Sequence, residues 1–255
     1  MRGYTSSSYG DAFADVYDDW YHGVSDVDAT VRLIARLAGP RGRVLELGVG
    51  TGRLALPLSQ ADLRVTGIDS STRMLEQLTA NDPDRTVTVV HGDMVDDLPP
   101  GSFDVVLVAY NTLFNLDSHA RQAECFAAVS TRITDGGSFV VEAFVPEPHT
   151  GSQVSVRSIT TDRVVLSASQ HRADEQSAEG QYIEITEGGG VRLRPWAIRW
   201  STVEQLDAMA HEAGLTVAER WGDVDQRSFT TDSERHVTIY RRNSPRDQIL
   251  GTVEP

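Results

Sequence analysis

The segment Glu46-Leu47-Gly48-Val49-Gly50-Thr51-Gly52 constrains this chain more than any other. It follows a short apolar run, Val44 to Leu47, that reads as a strand, and it precedes a helical stretch from Arg53 to Gln60. Strand, glycine turn and helix in direct succession form the opening βα unit of a parallel sheet. The alternating glycines permit backbone conformations closed to other residues and let a ligand approach the main chain. The helix that follows offers free N–H groups and the positive end of its dipole.

The rest of the chain extends this rhythm. Residues 64–68, 86–90, 103–108 and 138–145 read as strands, and 71–80 and 117–133 as helices. Phe103 to Val108 is almost wholly apolar, which suits a strand buried on both faces. Strands alternating with helices predict a mostly parallel sheet with right-handed crossovers. Ahead of it, apolar groups at 9, 13, 16, 17, 20 and 21 predict one helix from Tyr9 to Tyr21, and a second helix covers 26–38. Residues 152–200 break the alternation. Four strand-like runs there (153–159, 163–170, 181–186 and 191–200), with Gly188-Gly189-Gly190 between the last two, predict an antiparallel insertion. Ser201-Thr202-Val203-Glu204 reads as a capping box opening a helix to Ala213. Residues 215–221 and 236–241 close the sheet as a hairpin. The expected division is a helical cap over 1–42, a core over 43–151, the insertion or lid over 152–200, a C-terminal helix and hairpin over 201–242, and a flexible tail over 243–255.

Composition excludes several chemistries. All 23 basic residues are arginine, so a Schiff-base lysine and a Walker A lysine are both impossible. The net charge of −14 disfavours a nucleic-acid partner. No apolar run of membrane-spanning length occurs, and residues 1–6 lack the apolar core of an export signal. The single cysteine, Cys125, cannot form an internal disulfide. A cytoplasmic location without membrane partners is the expectation.

Two further signals lie at strand ends. Asp69 stands 21 residues after Gly48, where an acid accepts hydrogen bonds from ribose hydroxyls. His91-Gly92-Asp93-Met94 follows the third strand, where a carboxylate can accept from an adenine amino group and Met94 can pack on the ring. Such loops at the carboxyl ends of successive strands line one crevice.

This trio resembles the class I S-adenosylmethionine-dependent methyltransferases over residues 40–145. The resemblance implies a doubly wound, mostly parallel seven-stranded α/β sheet of Rossmann-like type, with the antiparallel β insertion after the fifth strand. It is loosely similar to the antibiotic-sugar N-methyltransferases. It implies S-adenosylmethionine as cofactor and no metal. Carried over, Glu46, Gly48 and Gly50 would hold the methionine end. Asp69 and Ser70 would hold the ribose, and Met74, Asp93 and Met94 the adenine side. Ala109 and Tyr110, after the fourth strand, would line the transfer site, and Tyr17 and Tyr21 would close over the cofactor. The expected reaction is methyl transfer to nitrogen or oxygen of a small molecule, possible in bacterial secondary metabolism, with the insertion available for a homodimer. The turn also favours a cation independently, because an acid at Glu46 repels a pyrophosphate. The nicotinamide fingerprint needs a glycine where Arg53 stands, which disfavours an oxidoreductase. A non-methylating enzyme on the same fold is the other alternative.

Candidate bases are His119, at the helix after the fourth strand, and Glu142, an acid inside an apolar strand. His91, His171 and His236 more readily pack or cap, and Cys125 lies on an apolar helix face. Trp196 and Trp200, near Arg194 and Arg199, fit either a substrate wall or ordinary strand packing. Ala109-Tyr110-Asn111-Thr112 holds no N-P-P-Y motif, so a nucleobase amino group is not the expected acceptor.

Overall fold

The computed structural model describes residues 1–21 and 23–242; the tail expected over 243–255 lies outside the described residues. Strands β1 (Arg43–Leu47), β2 (Arg64–Asp69), β3 (Thr88–His91), β4 (Phe103–Val108) and β5 (Ile133–Phe144) pair in parallel. In chain order, β6 (Gly151–Ile159), β7 (Arg163–Arg172), β8 (Ser177–Thr186) and β9 (Val191–Arg199) make a separate antiparallel sheet. Then β10 (Leu215–Trp221) and β11 (Arg235–Arg242) complete the first sheet, whose order is β10-β11-β5-β4-β1-β2-β3. The α/β class, the seven strands and the insertion after β5 are as expected from the sequence.

The sheet is buried on both sides. Leu45, Leu47, Val106 and Val108 face one apolar cluster, and Val44, Val105 and Leu107 face the other. Helices α3 (Val27–Ala38), α4 (Ala55–Gln60), α5 (Thr72–Asn81), α6 (His119–Ser130) and α7 (Val203–Glu212) cover them. Strand order reverses at β1, whose neighbours are β2 and β4. Connections leave in opposite directions there, which opens a crevice at the carboxyl ends.

Three local expectations need correction. The helix expected over 9–21 is two helices, α1 (Ser8–Phe13) and α2 (Tyr17–Tyr21). Arg194 explains the break: its guanidinium takes the Ala12 carbonyl, so the Val16 amide donates to Phe13 instead. The capping box lies one residue later than expected, with Thr202 as cap and Gln205 as its partner. Ser201 is unavailable because its buried hydroxyl donates to Gln122 Oε1 at 2.6 Å. Finally, Ile133 belongs to β5, where it pairs with Phe103, and not to the preceding helix.

Candidate active site

The glycine turn rises from β1 with Gly48, Gly50 and Gly52 at φ of 69°, 55° and 91°, a region that other residues adopt only under strain. Gly48 is also a point of close approach, since an added Cβ would lie 2.4 Å from Thr112 Cγ2. Beneath the turn, Glu46 is 4% exposed. Burial pushes its carboxyl up to about 8, while Arg53 pulls it down. Among the described residues its Oε2 is buried without a hydrogen-bond partner. An orphaned buried carboxylate oxygen is costly, and an ammonium group from outside the chain would satisfy it.

Asp69, at the end of β2, accepts the Gly50 amide with Oδ2 and the Ser71 amide with Oδ1, each at 2.9 Å. Burial raises its carboxyl above the ordinary value, and the two amides oppose that. Asp93 accepts Val95 N and Arg121 Nη2 at Oδ1, and no partner of its Oδ2 occurs among the described residues. It therefore caps its own turn and pairs with Arg121, while one oxygen remains for a ligand.

The turn, Asp69 and Asp93 line one narrow cleft of about 90 Å³, while Glu46 lies buried beneath the turn and is not part of its lining. Gly48, Gly50, Asp69, Ser70, Met74, Asp93 and Met94 form one side, with Thr112 and Leu116. Tyr9, Gly10 and Tyr17 of the N-terminal helices close the other. A hydroxyl–carboxylate bond from Ser71 to Asp11 at 2.7 Å and another from Thr51 to Asp18 tie those helices down. Past Asp93 and Leu116 the cleft widens into a polar space of about 440 Å³ bounded by the insertion.

A solved structure, the CcbJ methyltransferase from Streptomyces caelestis, is 36% identical to this chain. It aligns with a TM-score of 0.87 over 94% of this chain and 100% of its own. The chain belongs to the class I S-adenosylmethionine-dependent methyltransferases. A model of the methyltransferase domain matches residues 44–137, which include the turn, Asp69 and Asp93. A curated relative is the cypemycin N-terminal methyltransferase of Streptomyces, 27% identical over 78% of this chain and 82% of the relative. The S-adenosylmethionine-bound amino pentose methyltransferase CalS10 of Micromonospora echinaspora, at 21% identity and a TM-score of 0.69 over 89% and 96%, shares the fold. The nicotinamide alternative falls with this assignment.

Not every expected residue of the methyltransferase lines the cleft. Ala109 is buried beneath it, its carbonyl taken by the Thr112 amide. Tyr21 stacks on Tyr17 at 4.8 Å and meets Tyr110 edge-on at 6.1 Å. Burial pushes the Tyr17 and Tyr21 phenols up to about 12, so both stay neutral. His119 borders neither of these two spaces, the narrow cleft and the wider polar one. Its Nε2 lies 2.9 Å from the Trp200 carbonyl and must carry the proton to bond there.

Sequence reasoning missed Arg53. Its Nη1 donates to Ser25 at 2.6 Å, and its charge acts on Glu46, Tyr17, Tyr110 and Glu142 together. A cation one residue past a glycine turn is the only signal that could have marked it. It also missed Thr112, Asn115 and Leu116, whose chain folds back over the cleft in a short 3-10 turn.

Proposed function

We propose that this methyltransferase N-methylates an amine of a small natural product in bacterial secondary metabolism. One observation carries nitrogen over oxygen: the phenols that would wall the transfer site are held neutral, and among the described residues no histidine borders the clefts. An aliphatic hydroxyl needs a strong base, whereas an amine needs only to lose its extra proton. The relatives acting on an N-terminus and on an amino pentose support the same choice.

S-adenosylmethionine, when bound, supplies a methyl group already activated on a sulfonium. The chain's task is to hold and align. Glu46 receives the ammonium end and Arg53 the carboxylate end. Asp69 and Ser70 receive the ribose hydroxyls, and Asp93, Met94 and Leu116 the adenine. Tyr17, Tyr21 and Tyr110 wall the transferring carbon against water. Alignment of this kind accounts for about 7–11 kcal/mol of barrier lowering. The N-terminal helices and the insertion act as a lid over the core. A cytoplasmic setting belongs to this reading, supported by the lone unpaired thiol of Cys125.

The test uses S-adenosylmethionine with a labelled methyl group and a panel of aminosugars and peptides with free N-termini. S-adenosylhomocysteine and a labelled N-methyl product should form in equal amounts. Label found on oxygen alone overturns the choice of nitrogen. Cofactor binding with no S-adenosylhomocysteine formed from any accepted ligand favours the non-methylating alternative.

The reading includes a homodimer through the insertion. Val154, Val156, Ile159, Ile185, Val191 and Leu193 are 43–70% exposed on one face of that sheet, with β6 at its free edge. Register supports a single face, because Val156 pairs with Leu166, Leu166 with Ile183, and Ile183 with Leu193. An apolar sheet face of this extent suits a second copy of itself. Light scattering should give a dimer for the wild type and a monomer for Val156→Asp/Leu193→Asp. A monomeric wild type at assay concentration would dismiss the interface.

A further inference from the structure

The end of β4 carries an unusual turn. Tyr110 and Asn111, neither of them glycine, both hold left-handed backbone, with φ of 46° and 67°. Strain of this kind persists only where neighbours over-determine it, and it concentrates at functional sites. Here one residue of β5 does most of the holding. Glu142 Oε2 accepts the Tyr110 amide at 3.1 Å, and the Glu142 carbonyl accepts the Asn111 amide at 3.1 Å. Asn111 Oδ1 in turn accepts the Phe144 amide at 2.7 Å.

The turn uses only one oxygen of the Glu142 carboxyl. The residue is 4% exposed, yet no cation stands within ion-pair distance of it among the described residues. Arg235, the nearest candidate on β11, is paired with Asp223 at 3.6 Å. Glu142 also lines a cleft of about 250 Å³ with Tyr110, Asn111, Phe144 and Arg235. Tyr110 separates this cleft from the aromatic wall, meeting Tyr21 on its other side. A buried acid with a spare oxygen, opening on a cavity beside the transfer site, is expensive unless a positive group completes it.

We propose that Glu142 seats the ammonium group of the methyl acceptor and takes its proton, which makes the substrate class a cationic amine of roughly single-ring size at the reacting end. This rests on the reading of the chain as an N-methyltransferase. In the step, one N–H bond of the ammonium breaks and one carboxyl O–H bond forms. The electron pair stays on nitrogen as the nucleophilic lone pair, and the proton later leaves to solvent through the cleft. Burial raises the Glu142 carboxyl above its ordinary value, against the pull of the Tyr110 amide, Arg53 and Arg235 and with the push of Asp223. A raised carboxyl is the better proton acceptor, since its conjugate acid is less dissociated.

Cyclohexylamine and cyclohexanol serve as a charged probe and its neutral counterpart, and binding is read by saturation-transfer NMR and titration. Wild type should bind cyclohexylammonium at least tenfold more tightly than cyclohexanol. The preference should fade as pH falls through the Glu142 titration, above the usual carboxylate range. Glu142→Gln keeps an oxygen for the Tyr110 amide, so melting temperature and S-adenosylhomocysteine affinity should hold. The amine preference should vanish and lose its pH dependence. Equal binding of the two probes to wild type, or an unchanged preference in Glu142→Gln, overturns the assignment. Methyl label found on oxygen alone in the product assay would instead be a failure of the N-methyltransferase reading.

Discussion

Asp69→Ala is expected to weaken S-adenosylhomocysteine binding by about a hundredfold or more in calorimetry. Two losses combine. The carboxylate would accept charge-assisted hydrogen bonds from two ribose hydroxyls, each worth roughly 1.5–3 kcal/mol. It also holds the site itself, because its two oxygens fix the Gly50 and Ser71 amides at 2.9 Å. Alanine leaves both amides without that partner, and the Gly48–Gly52 turn loses its tie to the head of α5. Asp69→Asn retains one acceptor oxygen and should lose only about tenfold. Affinity within about threefold of wild type for the alanine variant would remove Asp69 from the ribose site.

The loops proposed to hold the cofactor are readable in the sequence because they are local. Gly48 and Gly50 lie in one turn, Asp69 ends β2 and Asp93 lies two residues past β3 of the same sheet, so spacing alone brings them to one cleft, with Glu46 just beneath the turn. The proposed acceptor half is assembled from distant segments. Arg53 reads only as a departure from a nicotinamide fingerprint until β5 and the N-terminal helices bring Glu142 and Tyr17 within reach of its charge. The position of His119 after β4 makes it a candidate base, and the structure places it there, at the start of α6. Its ring turns instead to the Trp200 carbonyl, 81 residues away. The capping box slipped by one residue for a similar reason, since the tertiary bond of Ser201 to Gln122 decides which hydroxyl is free to cap. Periodicity sees neither effect. It registers which faces are apolar, not which polar groups a remote strand has already engaged.

The break between α1 and α2 depends most on such a remote group, and removing it should be costly. Arg194 is 1% exposed and donates to Asp15 at 2.7 and 3.1 Å and to Glu184 at 2.8 Å, besides the Ala12 carbonyl. Arg194→Met should lower stability by about 3 kcal/mol, because buried Glu184 loses the nearer of its two cations, Arg163 remaining at 3.3 Å, and the Ala12 carbonyl loses its donor. In a chain of this size that corresponds to a melting temperature roughly 6–12 °C lower. Arg192→Met is the control. Arg192 bonds the same Asp15 from an exposed position, where a pair is worth at most about 1 kcal/mol. Burial alone would raise the Asp15 and Glu184 carboxyls, but Arg194 outweighs it and holds both below the ordinary carboxylate range. Their contribution is therefore present above the unfolded carboxylate values and disappears as pH falls through the lowered ones. The deficit of Arg194→Met should be full at neutral pH and shrink in acid. Amide exchange should also quicken across residues 8–21 more than in β1 or β4, since the guanidinium fastens the aromatic N-terminal helices to the insertion sheet. A melting temperature no lower than that of Arg192→Met would mean that these helices are held by their apolar contacts instead.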